Sequence, residues 1–363
     1  MILYLVLLAA LCCWGVKFSC FHPNYLEKDQ TDAFKGIFAL LILFSHIRAH
    51  ITLDGRLDFL YNQVFILLGQ ITVVPFFFYS GYGVIQGIRR KEGYVKTFFK
   101  NRILKFLIGY NIVSITLGII WYCIGKTYPP ENYLLAWCGW KTVGGTISAG
   151  GGLWYIFVLL VLYLITYAVL QILGRLWQKN EKRYLLMTGI TVFVLSTGLM
   201  AVLAFVKTPS KNYWYNTLMA YPFGMLYAVC KDRLDFVMRK IWVWLCAIGV
   251  ILVAVAGIFV LGLKDAVSYS VMGFLFMTFI CFFTMRVRMV NPVLKWIGGL
   301  SFGIYILQRP IMMLFEYFGL AKYNILYTAV CIAATLVVSL AHQWISGKLN
   351  GIIFRKKKTL ALQ

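Results

Sequence analysis

Uninterrupted apolar runs, each near the length needed to cross a hydrocarbon core, recur along almost the whole chain, and this most narrows what it can fold into. A soluble chain of 363 residues divides its apolar residues among amphipathic elements, whereas here 61% of residues are hydrophobic and only 13% charged. The runs cover residues 1–16, 34–51, 63–88, 103–124, 153–173, 184–206, 216–230, 241–263, 267–285, 297–318 and 325–345. In lipid the backbone must satisfy its own hydrogen bonds, and these runs are too long and continuous for barrel strands. The sequence therefore predicts an all-α, polytopic transmembrane helical bundle of about 11 helices in one integral membrane domain.

The formal charge of +23 does not indicate a nucleic-acid surface, because the basic residues fall in short clusters between apolar runs. Arg89, Arg90, Lys91, Lys96, Lys100, Arg102 and Lys105 share one loop. Arg175, Lys179, Lys182 and Arg183 come two spans later, then Lys231, Arg233, Arg239 and Lys240, then Arg286, Arg288 and Lys295, then Lys348 and Arg355 to Lys358. The intervening loops carry few basic residues. By the positive-inside rule the rich loops and the C-terminus are cytoplasmic and the N-terminus lies outside, in a cytoplasmic (plasma) membrane.

Residues 1–16 lack a basic leader and a clear cleavage site, so the first run reads as a retained helix. This divides the chain into 1–30, an added helix and cytoplasmic loop; 31–350, the membrane domain; and 351–363, a basic cytoplasmic tail. The nine cysteines are scattered, with no CxxC pair, and read as small core residues. The glycine-rich stretch 125–152 has no P-loop lysine and reads as a flexible loop rather than a phosphate cradle.

Chemistry concentrates on the second run. Lys35 and His46 are eleven residues apart, close to three turns, so they share a helix face roughly 16 Å apart along the axis. Ionisable groups inside an apolar helix are costly and face a polar cavity or partner. Lys35 can also snorkel to the interface, and His46 can be a neutral imidazole bonded to a neighbouring carbonyl. His46 and His50 have the i, i+4 spacing of zinc ligands, but no glutamate lies between them and no third ligand is evident, so no metal site is assigned. Ser80-Gly81 permits close helix approach. Arg309 and Glu316, seven residues apart on one face, suggest a buried ion pair or a cavity group.

Several segments, in order, resemble the acyltransferase 3 family of membrane acyltransferases. Phe34-Lys35-Gly36 through Phe44-Ser45-His46 is similar to its opening signature, Pro75 to Tyr82 to its aromatic "FF-x-SG" segment, and Arg102-Ile-Leu-Lys105 to its RxxR motif. Gly151-Gly152-Leu153-Trp154-Tyr155 resembles its "GG-LWY" entry, and Ile297-Gly298 with Ser301 to Pro310 its late "SY-x-x-YL-x-H-x-P" segment. Lys35 and Lys105 stand where arginine is usual, and Gln308 where histidine is usual.

The resemblance implies a ten-helix acyltransferase core after the added first helix. It implies transfer of an acyl group, acetyl in the simplest case, from cytoplasmic acyl-CoA (acetyl-CoA) to a carbohydrate or glycolipid acceptor of the cell envelope, with acyl-CoA as donor substrate rather than a bound cofactor. It implies His46, with Lys35, as the catalytic pair, His46 serving as general base or acyl-carrying nucleophile. Arg102 and Lys105 would hold the donor phosphates, and Ser80, Trp154, Tyr305, Gln308 and Arg309 would line the substrate channel. Gln308 cannot titrate and is given no acid-base role. A transporter or flippase without acyl chemistry is the competing reading, and a noncatalytic partner in envelope assembly a third.

Overall fold

The computed structural model describes residues 1–123, 125, 154–174, 180–205, 213–263 and 265–354. The glycine-rich stretch with Gly151 and Gly152, the basic residues Arg175 and Lys179, and the tail from Arg355 lie outside them.

Each apolar run holds helix. The elements are α1 (Ile2–Cys13), β1 (Val16–Phe18), α2 (Lys28–Ile47), α3 (Asp58–Leu68), α4 (Val74–Arg90), α5 (Tyr94–Phe98) and α6 (Lys105–Cys123). They continue as α7 (Trp154–Ile172), α8 (Glu181–Phe205), α9 (Tyr213–Asn216), α10 (Ala220–Met238), α11 (Ile241–Val260) and α12 (Ala266–Thr284). The last are β2 (Val287–Met289), α13 (Pro292–Gly299), α14 (Ser301–Tyr317) and α15 (Asn324–Ile353). A 3₁₀ turn, Gly69–Val73, joins α3 to α4, and a π-helical turn, Phe99–Leu104, joins α5 to α6.

Among the described residues six spans are long and apolar enough to cross a membrane: Asp58–Arg90, α7, α8, α11, α12 and α15. The pair α13 and α14, bent by 72° at Leu300, makes a seventh. The molecule is a polytopic helical membrane protein. The remaining runs depart from the simple apolar helix for visible reasons: α2 opens with Lys28, Asp29, Asp32 and Lys35, and α10 closes with Lys231, Asp232, Arg233 and Asp235.

The first run is shorter than the predicted 1–16 span. Its helix ends at Cys13, Gly15 turns the chain at φ 78°, and Val16–Phe18 pairs antiparallel with β2. The Gln30 side chain extends this ribbon, accepting from Met289 N at 3.1 Å and donating to the Val287 carbonyl at 3.3 Å. Asn291 caps α13 through Oδ1 while its amide nitrogen donates to the Leu11 carbonyl at 2.7 Å.

Helix ends gather at two rims. At one, Lys295 pairs with Asp29 at 2.7 Å, Tyr25 bonds Tyr227 and Asp235, Arg89 reaches the Ala228 carbonyl and Arg286 the Arg239 carbonyl. Lys100 packs there on the Phe354 ring. At the other, Tyr4 bonds the Ile325 carbonyl, His50 pairs with Glu316, and Asn324 bonds the Thr52 carbonyl. Arg89, Lys100, Arg239, Arg286 and Lys295, from three of the basic groups, thus share the first rim.

Two helix pairs touch backbone to backbone. A methyl on Gly36 would strike the Leu294 carbonyl, and one on Gly298 the Asp32 carbonyl, which locks α2 to α13. A methyl on Gly81 would strike the Tyr221 carbonyl, and one on Gly224 the Phe78 carbonyl, locking α4 to α10. In lipid there is little hydrophobic drive between helices, so such close packing decides which faces meet. Gly81→Ala and Gly298→Ala should each cost ~2 kcal/mol or more, because backbone cannot yield as a side chain can. Gly299→Ala, with nothing near its would-be methyl, should be neutral or mildly stabilising. Thermal unfolding in detergent checks this; equal shifts for all three would remove the close-packing argument.

Candidate functional site

Beside these contacts lies a cavity of about 230 Å³ lined by residues of α2, α4, α7 and α14 and by the π-helical turn. Lys35, Ser80, Arg102 and Tyr305 all line it, although they come from four separate parts of the sequence. Each position has a local cause. Lys35 and Ser80 immediately precede Gly36 and Gly81, so the helix-locking contacts fix their height and direction.

Lys35 is steadied by Asp32, one turn back, at 3.0 Å. The Asp32 carboxylate is nearly enclosed and takes a second cation, Lys28, at 2.5 Å. Its charge is therefore compensated locally, and the Lys35 ammonium extends to 5.9 Å from the Tyr79 ring centroid. Arg102 is held differently. Its Nε donates to the Tyr94 hydroxyl at 3.0 Å, and its guanidinium lies 5.9 Å from the Tyr163 ring centroid. Tyr94 is fixed in turn by Gly87, where a methyl would overlap the tyrosine ring. Among the described residues the terminal nitrogens of Arg102 have no protein acceptor and remain available to a ligand.

The walls are aromatic. The Tyr155 and Tyr305 rings are 5.2 Å apart, and Phe77 stacks behind Tyr155 at 4.7 Å. Trp154 stands behind this layer, 6.3 Å from Phe77, and supports the wall without lining it. Lys105 points elsewhere, 6.0 Å from the Phe354 ring, and is not among the lining residues.

His46 lies beyond the cavity. Gln308 and Arg309 sit beside its ring, and its Nδ1 is enclosed without a hydrogen-bond partner among the described residues. Gln308 is fully buried and donates to the Tyr305 carbonyl at 3.1 Å, which places this cluster one turn of α14, about 4.5 Å, past a lining residue. Cavity and histidine therefore follow one another along the same helix. Glu316, which the sequence pairs with Arg309, instead binds His50 Nδ1 at 2.7 Å. Seven residues are two turns, too far for that pair to close without a bend, and His50 on α2's trailing turn is nearer.

The arrangement presents two cations and several hydroxyls in an aromatic chamber, with an imidazole further in. It suits an anionic, partly apolar substrate. Sequence reasoning missed Asp32, Tyr79, Tyr94 and Tyr163. Asp32 was readable from its i, i+3 spacing to Lys35; Tyr94 was not, because only the π-helical turn brings it to Arg102.

Residues 29–344 match the family model described as an acyltransferase domain. No curated protein and no solved structure matches the chain.

The Asp32–Lys35 pair is testable without any substrate. A double-mutant cycle with Asp32→Asn and Lys35→Met should give a coupling of about 1–3 kcal/mol in unfolding free energy, since either single change leaves an enclosed charge less compensated. Additive single effects would show that the pair does not hold Lys35 in place.

Proposed function

The chain belongs to the acyltransferase 3 family, and on that premise we propose that it moves an acyl group, acetyl in the simplest case, from acyl-CoA to a hydroxyl of a cell-envelope glycan or glycolipid. The observation that carries this reading is the succession of Arg102 and Lys35 in one cavity with His46 and Gln308 one helical turn beyond it.

The rim bearing the basic loops faces the cytoplasm in this reading, by the positive-inside rule, with the N-terminus outside and the C-terminus inside. Arg102 then sits on the donor side. Its planar, permanently charged guanidinium matches phosphate oxygens, and Tyr94 leaves its terminal nitrogens free for them. The thioester end of the donor extends through the aromatic chamber toward His46, while Lys35, three turns of α2 from that histidine, binds the anionic part of the donor beside Arg102.

His46 takes the proton of the acceptor hydroxyl as that oxygen attacks the thioester carbonyl. The C–O bond forms, the C–S bond breaks, and the departing thiolate receives the proton. Gln308, fixed by the Tyr305 carbonyl, orients the imidazole and neither gains nor loses a proton. The acceptor approaches from the rim nearer His46.

Purified His46→Ala and His46→Gln should lose ~10²- to 10⁴-fold in acyl transfer while remaining monodisperse, the range a positioned general base supplies. Near-normal turnover of radiolabelled acyl-CoA by either variant would refute the mechanism. For the donor site, Arg102→Ala should raise the KM for acyl-CoA about tenfold or more, with acceptor KM little changed. Tyr94→Phe should reproduce part of that rise. An unchanged donor KM in Arg102→Ala would reduce the loop to a topology signal.

A further inference from the structure

A second, larger cavity, about 370 Å³, lies at the rim opposite Arg102, between the end of α3, the 3₁₀ turn Gly69–Val73 and the facing ends of α11 and α12. Leu67, Ile258, Phe259 and Met272 form apolar walls, and Gln70 and Tyr269 give it a polar edge. The surrounding surface is strongly apolar and exposed: Ile66 by 58%, Val260 by 85% and Leu261 by 71%. In a membrane protein that surface meets hydrocarbon, so the groove opens sideways to lipid.

A hydrocarbon chain gains little hydrophobic energy by moving from lipid tails into such a groove. Selection must come from the polar edge. The Gln70 amide oxygen accepts from Asn216 Nδ2 at 3.2 Å, so the group Gln70 has left to offer is its NH₂ donor. Behind it, Asn216 and Thr217 are only 1% and 3% exposed, yet among the described residues Asn216 Oδ1 and Thr217 Oγ1 have no hydrogen-bond partner. Buried oxygens left in this way favour a ligand or water that donates to them. Among the described residues the lining bears no charge, so this edge suits hydroxyls rather than phosphate.

The groove also lies next to the site. Gln70 lines it, while Val73, three residues on in the same 3₁₀ turn and about 6 Å away, lines the central cavity. We infer that this groove binds the hydrocarbon chain of an uncharged, hydroxyl-bearing lipid, of the glycosyl-lipid class, and presents its head to the central cavity as the acyl acceptor. The role as acceptor rests on the acyl-transfer reading above; the binding does not.

The test uses the full-length protein in nanodiscs and a dodecyl glucoside with a diazirine at the chain end. Photolabelling should map to the segments around Leu67 and Met272. Leu67→Trp, at a position 57% exposed and so tolerant of bulk, should lower that labelling roughly fivefold and raise the KM for the glucoside in proportion, with acyl-CoA KM unchanged. Leu263→Trp serves as a second filling variant should the first misfold. Labelling that ignores both fillings, or equal labelling by phosphatidylglycerol carrying the same diazirine, would overturn the inference and leave ordinary annular lipid. Turnover of acyl-CoA with short-chain methyl glucoside separates the two readings: its absence counts against acyl transfer, whereas photolabelling judges the groove independently.

Discussion

Backbone contact between helices at Gly36 with Gly298, and at Gly81 with Gly224, is the constraint on which the remaining geometry depends. Lipid removes the hydrophobic effect as a sorting force between helices, so shape at the seams decides the bundle. Here the seams are formed by peptide groups, which have no rotamers and tolerate no displacement. Because Lys35 and Ser80 each precede one of these glycines, the fold and the cavity are set by the same contacts. Polar residues need not search for position; the packing delivers them.

Placing charge inside such a bundle raises a second requirement. An isolated ionised side chain at membrane depth costs about 3 kcal/mol or more. The protein meets this in two ways. Lys35 is balanced by a carboxylate shared with Lys28, whereas Arg102 has no carboxylate partner among the described residues and rests on the Tyr163 face and the Tyr94 hydroxyl. A carboxylate next to Arg102 would have consumed its capacity for an anion. Neutral aromatic partners leave the Arg102 charge available to an anion.

Much of the fold was legible because apolar run length is a strong signal, and every run does contain helix. The limits are equally physical. The α1 end and the β1–β2 ribbon escaped notice because the three residues Val16–Phe18 are too few to show a strand pattern, and their partner lies some 270 residues away. Run length also overstates α1, whose 12 helical residues are followed by a glycine turn. At the site, motif order found Lys35, Ser80, Arg102 and Tyr305, and the structure brings those four to one cavity. The RxxR resemblance also set Lys105 beside Arg102, but the π-helical turn changes the angular phase between them and Lys105 packs toward the Phe354 ring. Glu316, on one helix face with Arg309, is paired with His50 from the turn that follows α2. Pairings across elements are invisible to any single-helix argument.

The bend at Leu300 has an electrostatic consequence. A continuous helix from Pro292 to Tyr317 would bury its peptide dipoles head to tail, with the positive pole at the membrane surface. The 72° break instead starts a new helix at Ser301, and Ser301 and Phe302 both line the central cavity. The unpaired amides of that first turn carry roughly half a positive charge, and it resides at membrane depth where little water screens it. Together with Lys35 and Arg102 this gives the chamber a positive potential. A negatively charged group would be drawn inward by a field whose backbone share is insensitive to pH and beyond the reach of side-chain substitution.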